Sequence, residues 1–156
     1  MTEPGATNAW QADHAALLIR CYRHWTGRDL IDPALPPQAA ARALYETPLV
    51  VLSHDTAADP RFTYANLTAQ RLFELPWAEI VGLPSRYSAE APVREERERL
   101  LRRVAEHGFI DDYSGIRIAK SGRRFSIRAA TVWNLFDEYG QPAGQAASFG
   151  DWQALA

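Results

Sequence analysis

The hydrophobic period of this chain changes at one residue. In FTYANLTAQRLFELPWAEIVG, residues 62–82, Phe62 and Tyr64 flank Thr63 as in a strand with one buried face. From Leu67 onward, Leu72 and Phe73, with Ala69 and Gln70 between, follow helical spacing instead. Asn66 stands at the junction and suits the N-cap, where its side-chain oxygen satisfies an orphan backbone N–H of the first turn. Pro76 suits the first turn of a second short helix, WAEIV, and Gly82 is its natural stop. A strand that runs straight into two short helices commits the middle of the chain to a mixed α and β fold.

The flanks extend that reading. Trp10, His14, Leu17, Leu18, Cys21, Tyr22 and Trp25 recur at helical spacing, and Gly27 ends the helix. RDLIDPALPP, with three prolines, reads as an extended arm, and AAARALYE as a short helix closed before Pro48. LVVLS is an apolar run of strand length, followed by the turn-rich HDTAADP. After LPSRYSAEAP, the run VREERERLLRRVAEHG carries an apolar stripe of Val93, Leu100, Leu101 and Val104. Glu95–Arg99 and Glu98–Arg102 are spaced as i,i+4 pairs, and the alternating charges of residues 94–103 read as a solvated face. Beyond Gly108, three strands follow: FIDDYSGIRI, RRFSIRAATVWNLF and PAGQAASF, with turns at KSG and DEYG. The order β-β-α-α-α-β-β-β, preceded by helical material, is α+β: an antiparallel sheet with helices on one face. Residues 1–45 are expected to form a helix, a proline-rich arm and a short helix packed on a domain spanning 46–156.

Composition narrows the function classes. With 156 residues, 47% of them apolar and five Trp, the chain can bury a real core. A net charge of −2 supplies no field for nucleic acid or anionic lipid. MTEPGATNAW lacks the basic and apolar regions of a secretory signal, and no window approaches the roughly 18 apolar residues of a membrane span. A soluble, cytoplasmic protein is expected. Cys21 is the single cysteine and is expected to be a packing residue on a helix face. His14, Cys21 and His24 fall at i, i+7 and i+10, but one helix presents at most two ligands comfortably, so no metal site is expected. Asp111 and Asp112 are adjacent in a strand and should point to opposite faces. With no phosphate-cradling loop and no nucleophile elbow either, the chain is not expected to be an enzyme.

The run from YAN through Ala69, Leu72 and Phe73 to WAEIVG, the KSGRRF turn, and the hairpin after Asp137–Gly140 together resemble a PAS domain. That resemblance implies a five-stranded sheet in the order 2-1-5-4-3. DDYSGIRIAKSGRRFSIRAATVWNLFDEYGQPAGQAASF, with LFEL, LPSR and VVLSH before it, is similar to the MEKHLA family of PAS-related domains, and the similarity extends over nearly the whole chain. Members occur alone in bacteria and at the C-terminus of plant homeodomain–leucine-zipper transcription factors. Nothing homeodomain-like or heptad-like is present here, so no DNA role is implied. The PAS resemblance implies a small cavity between the inner sheet face and the helices, holding a flavin, a haem, a metabolite or nothing; the cofactor is unknown. The photoactive cysteine of light-oxygen-voltage domains has no counterpart, because the chain reads GLPSRYS after the short helix. By the same analogy His54 and His107 are the candidates for a haem ligand.

Strand alternation names the expected lining. Phe125, Ile127, Ala129, Thr131 and Trp133 share one face of the long strand and are assigned inward, with Val51, Ser53, Phe62 and Tyr64 completing the wall. The preceding strand admits two registers. A two-residue turn at Ser121-Gly122 turns Ile116 and Ile118 inward; a loop centred on Gly122 turns Tyr113, Gly115 and Arg117 inward instead. The second is favoured, and it makes Arg117 a buried cation in want of an anionic ligand group. The functional expectation is a non-catalytic sensory or small-ligand-binding domain signalling through a separate protein. The alternative is a ligand-free interaction module whose output is dimerisation. A homodimer would form through the N-terminal helix or the outer sheet face, since that helix carries more large apolar residues than a lone helix can hide. The same helix could equally cover the outer sheet face.

Overall fold

Asn66 is the N-cap its spacing implies, and more. Its Oδ1 accepts from Ala69 N at 3.0 Å and from Val51 N at 3.1 Å. Its Nδ2 donates to Leu44 O at 3.1 Å and Leu49 O at 2.8 Å. One buried amide therefore spends all four of its hydrogen bonds on the backbone of three separate segments. Everything else in the fold is hung around this junction.

The computed structural model describes residues 1–89 and 91–156; at residues 91–94 it describes the backbone alone. The elements are α1 (Ala12–Thr26), α2 (Pro37–Glu46), β1 (Val50–His54), β2 (Phe62–Ala65), α3 (Leu67–Phe73), α4 (Trp77–Ile80), α5 (Ala91–His107), β3 (Phe109–Ile118), β4 (Arg124–Phe136), β5 (Pro142–Phe149) and β6 (Asp151–Ala154). The strands form one antiparallel sheet in the order β2-β1-β5-β4-β3. The short β6 is an addition to the five expected strands. It continues the line of β5 along β4, since Thr131 faces Ser148 and, three residues on in each strand, Arg128 faces Asp151. Among the described residues no helix is long and apolar enough to cross a membrane.

Both faces of the sheet are covered. The inner core gathers Val50, Leu52, Phe62, Phe125, Ile127 and Phe149 under α3 and α4. The outer core gathers Val51, Tyr64, Trp133 and Leu135 under α1 and α2. Trp133 fixes this second layer: it is fully buried and its Nε1 donates to Leu18 O at 3.2 Å. Trp25 donates from the same helix to Asn134 O at 3.0 Å, and Cys21 Sγ lies against the backbone of Phe136. Of the two roles open to the N-terminal helix, covering the outer sheet face is the one it takes within the chain.

Two bulges decide which side chains face which core. Thr63 is an extra residue opposite the Ser53–His54 step, so Phe62 faces inward while Tyr64 faces outward. In β4, Arg128 and Ala129 together oppose Ser114 alone, with Ala129 at φ 51°. Ile127 and Ala130 thus both face inward, and the alternation beyond them is reversed. A compensating irregularity on β3 places Asp111 and Asp112 opposite Thr131, and both are exposed rather than on opposite faces. Asp111 pairs with Arg28 at 3.3 Å.

One titratable group packed against the outer core carries a pH consequence on the acid side. His14 Nε2 lies 3.0 Å from Ser53 Oγ, which in turn lies 2.8 Å from Thr63 Oγ1, and the ring rests 5.6 Å from Tyr64. Burial lowers its pKa to about 4. The unfolded chain therefore binds a proton near pH 6.5 that the folded chain refuses, so stability falls as pH drops from about 6.5 to about 4. His14→Gln should remove about one proton from that slope and spare up to about 3 kcal/mol at its acid end, read by urea denaturation across the interval. An unchanged slope would mean that His14 is already protonated in the fold.

Candidate functional site

The inner layer does not close completely. Between α5, β3 and the middle of the sheet lies a cavity of about 70 Å³. Its cationic wall comes from two elements. On α5, Arg97, Leu100 and Val104 are buried in a row at spacings of three and four, the inward stripe of the helix. Val93, assigned to the same stripe, lies outside the described side chains. Neither Glu95–Arg99 nor Glu98–Arg102 is among the ion pairs of the described residues.

On β3 the register turns Arg117 inward. Arg117 faces Phe125 and Gly115 faces Ile127. The hairpin is a three-residue loop, Lys120–Gly122, centred on Ser121, one residue earlier than the expected loop, with Ala119 N donating to Arg123 O at 2.9 Å. Contacts to α3 hold it there: Lys120 N donates to Phe73 O and Ser121 N to Glu74 Oε1, each at 3.0 Å. Gly115 has its own steric reason, because a Cβ there would lie 2.3 Å from Tyr113 Oη. Without it the phenol could not fold along the strand to accept from Arg117 Nη2 at 2.9 Å.

The two arginines are only 7% and 8% exposed, at Arg97 and Arg117 respectively. Arg117 also donates to Ile116 O at 2.8 Å, and Arg97 donates to the buried Ser85 hydroxyl. All three partners, with the Tyr113 hydroxyl, are neutral. Among the described residues, neither arginine belongs to an ion pair. Burial, and after it the charge of Arg117, lowers the Arg97 pKa to about 10.

His54 and Gln145 also line the cavity, and they are shared with an open groove of about 570 Å³. His54 Nδ1 lies 2.8 Å from Asp55 O. A carbonyl only accepts, so Nδ1 carries the proton and Nε2 presents a lone pair, which has no partner. Burial lowers the His54 pKa, keeping that lone pair free. The Gln145 amide is oriented by a relay of the same kind. Asn134 Nδ2 donates to Val104 O at 2.8 Å, so Asn134 Oδ1 is the end that accepts from Gln145 Nε2 at 2.9 Å. Gln145 Nε2 also donates to Leu101 O at 3.2 Å, leaving Oε1 buried and unpartnered.

Of the residues assigned to a ligand wall, Phe62, Tyr113, Arg117 and Ile127 line this cavity, and Ser53 borders it with its hydroxyl engaged by His14 and Thr63. Val51, Tyr64 and Trp133 belong to the outer core instead. Thr131 shares the face of Trp133, and Ala129 is exposed at the bulge. For Tyr64, Ala129, Thr131 and Trp133 the cause is the pair of bulges, which shift the period-2 alternation by one residue midway along β2 and β4; on β1 it is Val50 and Leu52, not Val51, that face the inner core. Arg97, His54 and Gln145 were not assigned to the wall. The position of Arg97 at i−3 from Leu100 and i−7 from Val104 was the available signal for it.

A family model for the MEKHLA domain matches residues 12–154. The chain belongs to the MEKHLA family. The match begins at the first residue of α1, so the helix over the outer sheet face lies within the family's unit. Among curated proteins none matches the sequence. Solved structures with the same fold include the PAS domain of a protein from Colwellia psychrerythraea, at TM-score 0.60 and 14% identity over 74% of this MEKHLA chain and 92% of that one. A fungal LOV domain photoreceptor matches at TM-score 0.61 and 18% identity over 97% of both chains. An RNA-binding light-oxygen-voltage receptor matches at TM-score 0.62 and 20% identity, over 77% of this chain and 33% of that one. The MEKHLA chain thus has a PAS-like fold.

Among the described residues no cluster of three or more His, Cys, Asp or Glu is placed to hold a metal ion. His14 and Cys21, two of the three residues weighed for one, instead meet Ser53 and the Phe136 backbone.

Proposed function

We propose that this MEKHLA domain is a non-catalytic sensor that binds a small anionic ligand in the cavity between α5 and the sheet and signals through a separate protein. The observation that carries this reading is the pair of buried guanidiniums, Arg97 and Arg117, with no carboxylate partner among the described residues. Removing a charge from water costs several kcal/mol unless an opposite charge offsets it. Here the charge of Arg117 also works against that of Arg97. An anion in the cavity relieves both at once, and the fork of Arg117 suits a carboxylate or a phosphate. Signal output fits the position of α5, whose inward stripe would feel whether the cavity is filled.

The ligand-free interaction module loses one of its two surfaces, since the outer sheet face is already under α1. A native mass spectrum of protein purified from its own host separates the two readings. The sensor reading expects a retained small mass, and Arg117→Ala should weaken its retention at least tenfold. A bare dimer from the host, or affinity unchanged in Arg117→Ala, would favour the interaction module instead.

A further inference from the structure

The cavity offers more chemistry than its charge. His54 Nε2 and Gln145 Oε1 are both acceptors, both buried, and both without a partner. They cannot satisfy each other, because neither has a proton to give. In each case the orientation is imposed from behind by carbonyls that only accept: Asp55 O for His54, and Leu101 O with the Asn134 relay for Gln145. Buried polar atoms left in this state are rare, and two bordering one cavity call for a donor.

We infer that the ligand is a small organic acid carrying a neutral hydrogen-bond donor close to its carboxylate: the acid group meets Arg97 and Arg117, and a hydroxyl or amide N–H meets His54 and Gln145. This deepens the reading above and rests on it.

The donor is neutral for an electrostatic reason. The charge of Arg97 reaches His54 and is among the causes that disfavour a proton there. An ammonium at the same place would meet the same burial and the same Arg97 charge, which outweigh the opposing pull of Asp55. The donor is close to the acid group because the cavity is small, about 70 Å³. A carboxylate, its neighbouring carbon and one donor fill it. Any longer body leaves past His54, Leu101 and Gln145 into the open groove, where Trp25, Ala105, Leu135 and Phe136 offer an apolar wall. An acid with an apolar tail and a hydroxyl or acylamino group beside the carboxylate satisfies all of these demands.

Four probes test this on the full-length chain, refolded free of host molecules: α-hydroxyisocaproate, isocaproate, leucine and inorganic phosphate. They share a shape or a charge and differ in the donor. By calorimetric titration and thermal melting, α-hydroxyisocaproate should bind at least tenfold more tightly than isocaproate or leucine, and phosphate should not compete with it. His54→Phe keeps the ring and drops the acceptor. It should erase the preference for the hydroxy acid while leaving the weaker binding of isocaproate. Should that variant fail to fold, the ranking of the four probes on the unaltered chain decides alone.

Equal affinity for the hydroxy acid and isocaproate, or a preference for leucine, overturns the neutral donor but leaves the anion site standing. Binding of phosphate alone overturns the organic acid and likewise leaves the anion site. No binding of any probe overturns the inference as a whole, while the host-purified mass spectrum continues to decide the proposed function separately.

Discussion

Replacing Asn66 by Asp should lower the unfolding free energy by about 4 kcal/mol or more, although the change preserves size and the capping oxygen. The capping bonds to Ala69 N and Val51 N survive, since a carboxylate accepts both. The other end of the side chain reverses its character. Where Nδ2 donated to Leu44 O and Leu49 O, an oxygen would now face two carbonyl oxygens at 3.1 and 2.8 Å. Each stripped carbonyl costs about 1–3 kcal/mol, and the buried charge adds to both. For a domain of this length the melting temperature should fall by about 8–16 °C, at about 2–4 °C per kcal/mol.

The pH dependence gives a second readout with a definite sign. Burial raises the pKa of the new carboxyl, so acid returns a proton to it in the folded state first. That proton restores one O–H donor, and the gap between variant and parent should narrow as pH falls. A loss below about 1 kcal/mol at neutral pH, or a gap that widens in acid, would show that Asn66 is a cap only and not the tie between α2, β1 and α3.

How much of this was legible in the sequence depends on the range of the interaction. The cap at Asn66 was, because its partner Ala69 is three residues away and the period changes there. The donations to Leu44 and Leu49 were not, because nothing local marks a bond across 22 or 17 residues. The sheet order came with the PAS resemblance, while the inward facing of Phe125 and Ile127 follows from alternation. The facing of Thr131 and Trp133 does not, because Ala129 takes a positive φ with no glycine to announce it. Arg117 was read inward through the choice of register; Arg97 was hidden inside a run of charges whose average is solvated while one stripe of it is buried. His54 was read only as a haem-ligand candidate and Gln145 not at all; their free acceptors are leftover atoms, which a sequence does not record.

Gly144→Ala should cost about as much as the Asn66 change, and for a reason that bears on the ligand. Gly144 sits at φ 127°, where side chains are strained, and a Cβ there would lie 2.1 Å from His54 O and 3.2 Å from His54 C. Both atoms are backbone. Neither can yield without opening the rung between His54 and Gln145 on β1 and β5. Strain of this kind costs about 1–3 kcal/mol, and the overlap raises the total to about 4 kcal/mol. Gly27→Ala is the open reference: its φ is 70° and nothing lies within 4 Å of the new Cβ, so its loss should be about 1 kcal/mol. Urea denaturation of the two variants side by side compares a crowded position at φ 127° with an open one at φ 70°. Equal losses would mean that β5 does not press on the His54 carbonyl. If the losses differ as expected, the same rung that resists the methyl group is what holds His54 Nε2 and Gln145 Oε1 side by side. Whatever alanine variant survives should then lose the hydroxy-acid preference even where its binding of the plain acid persists.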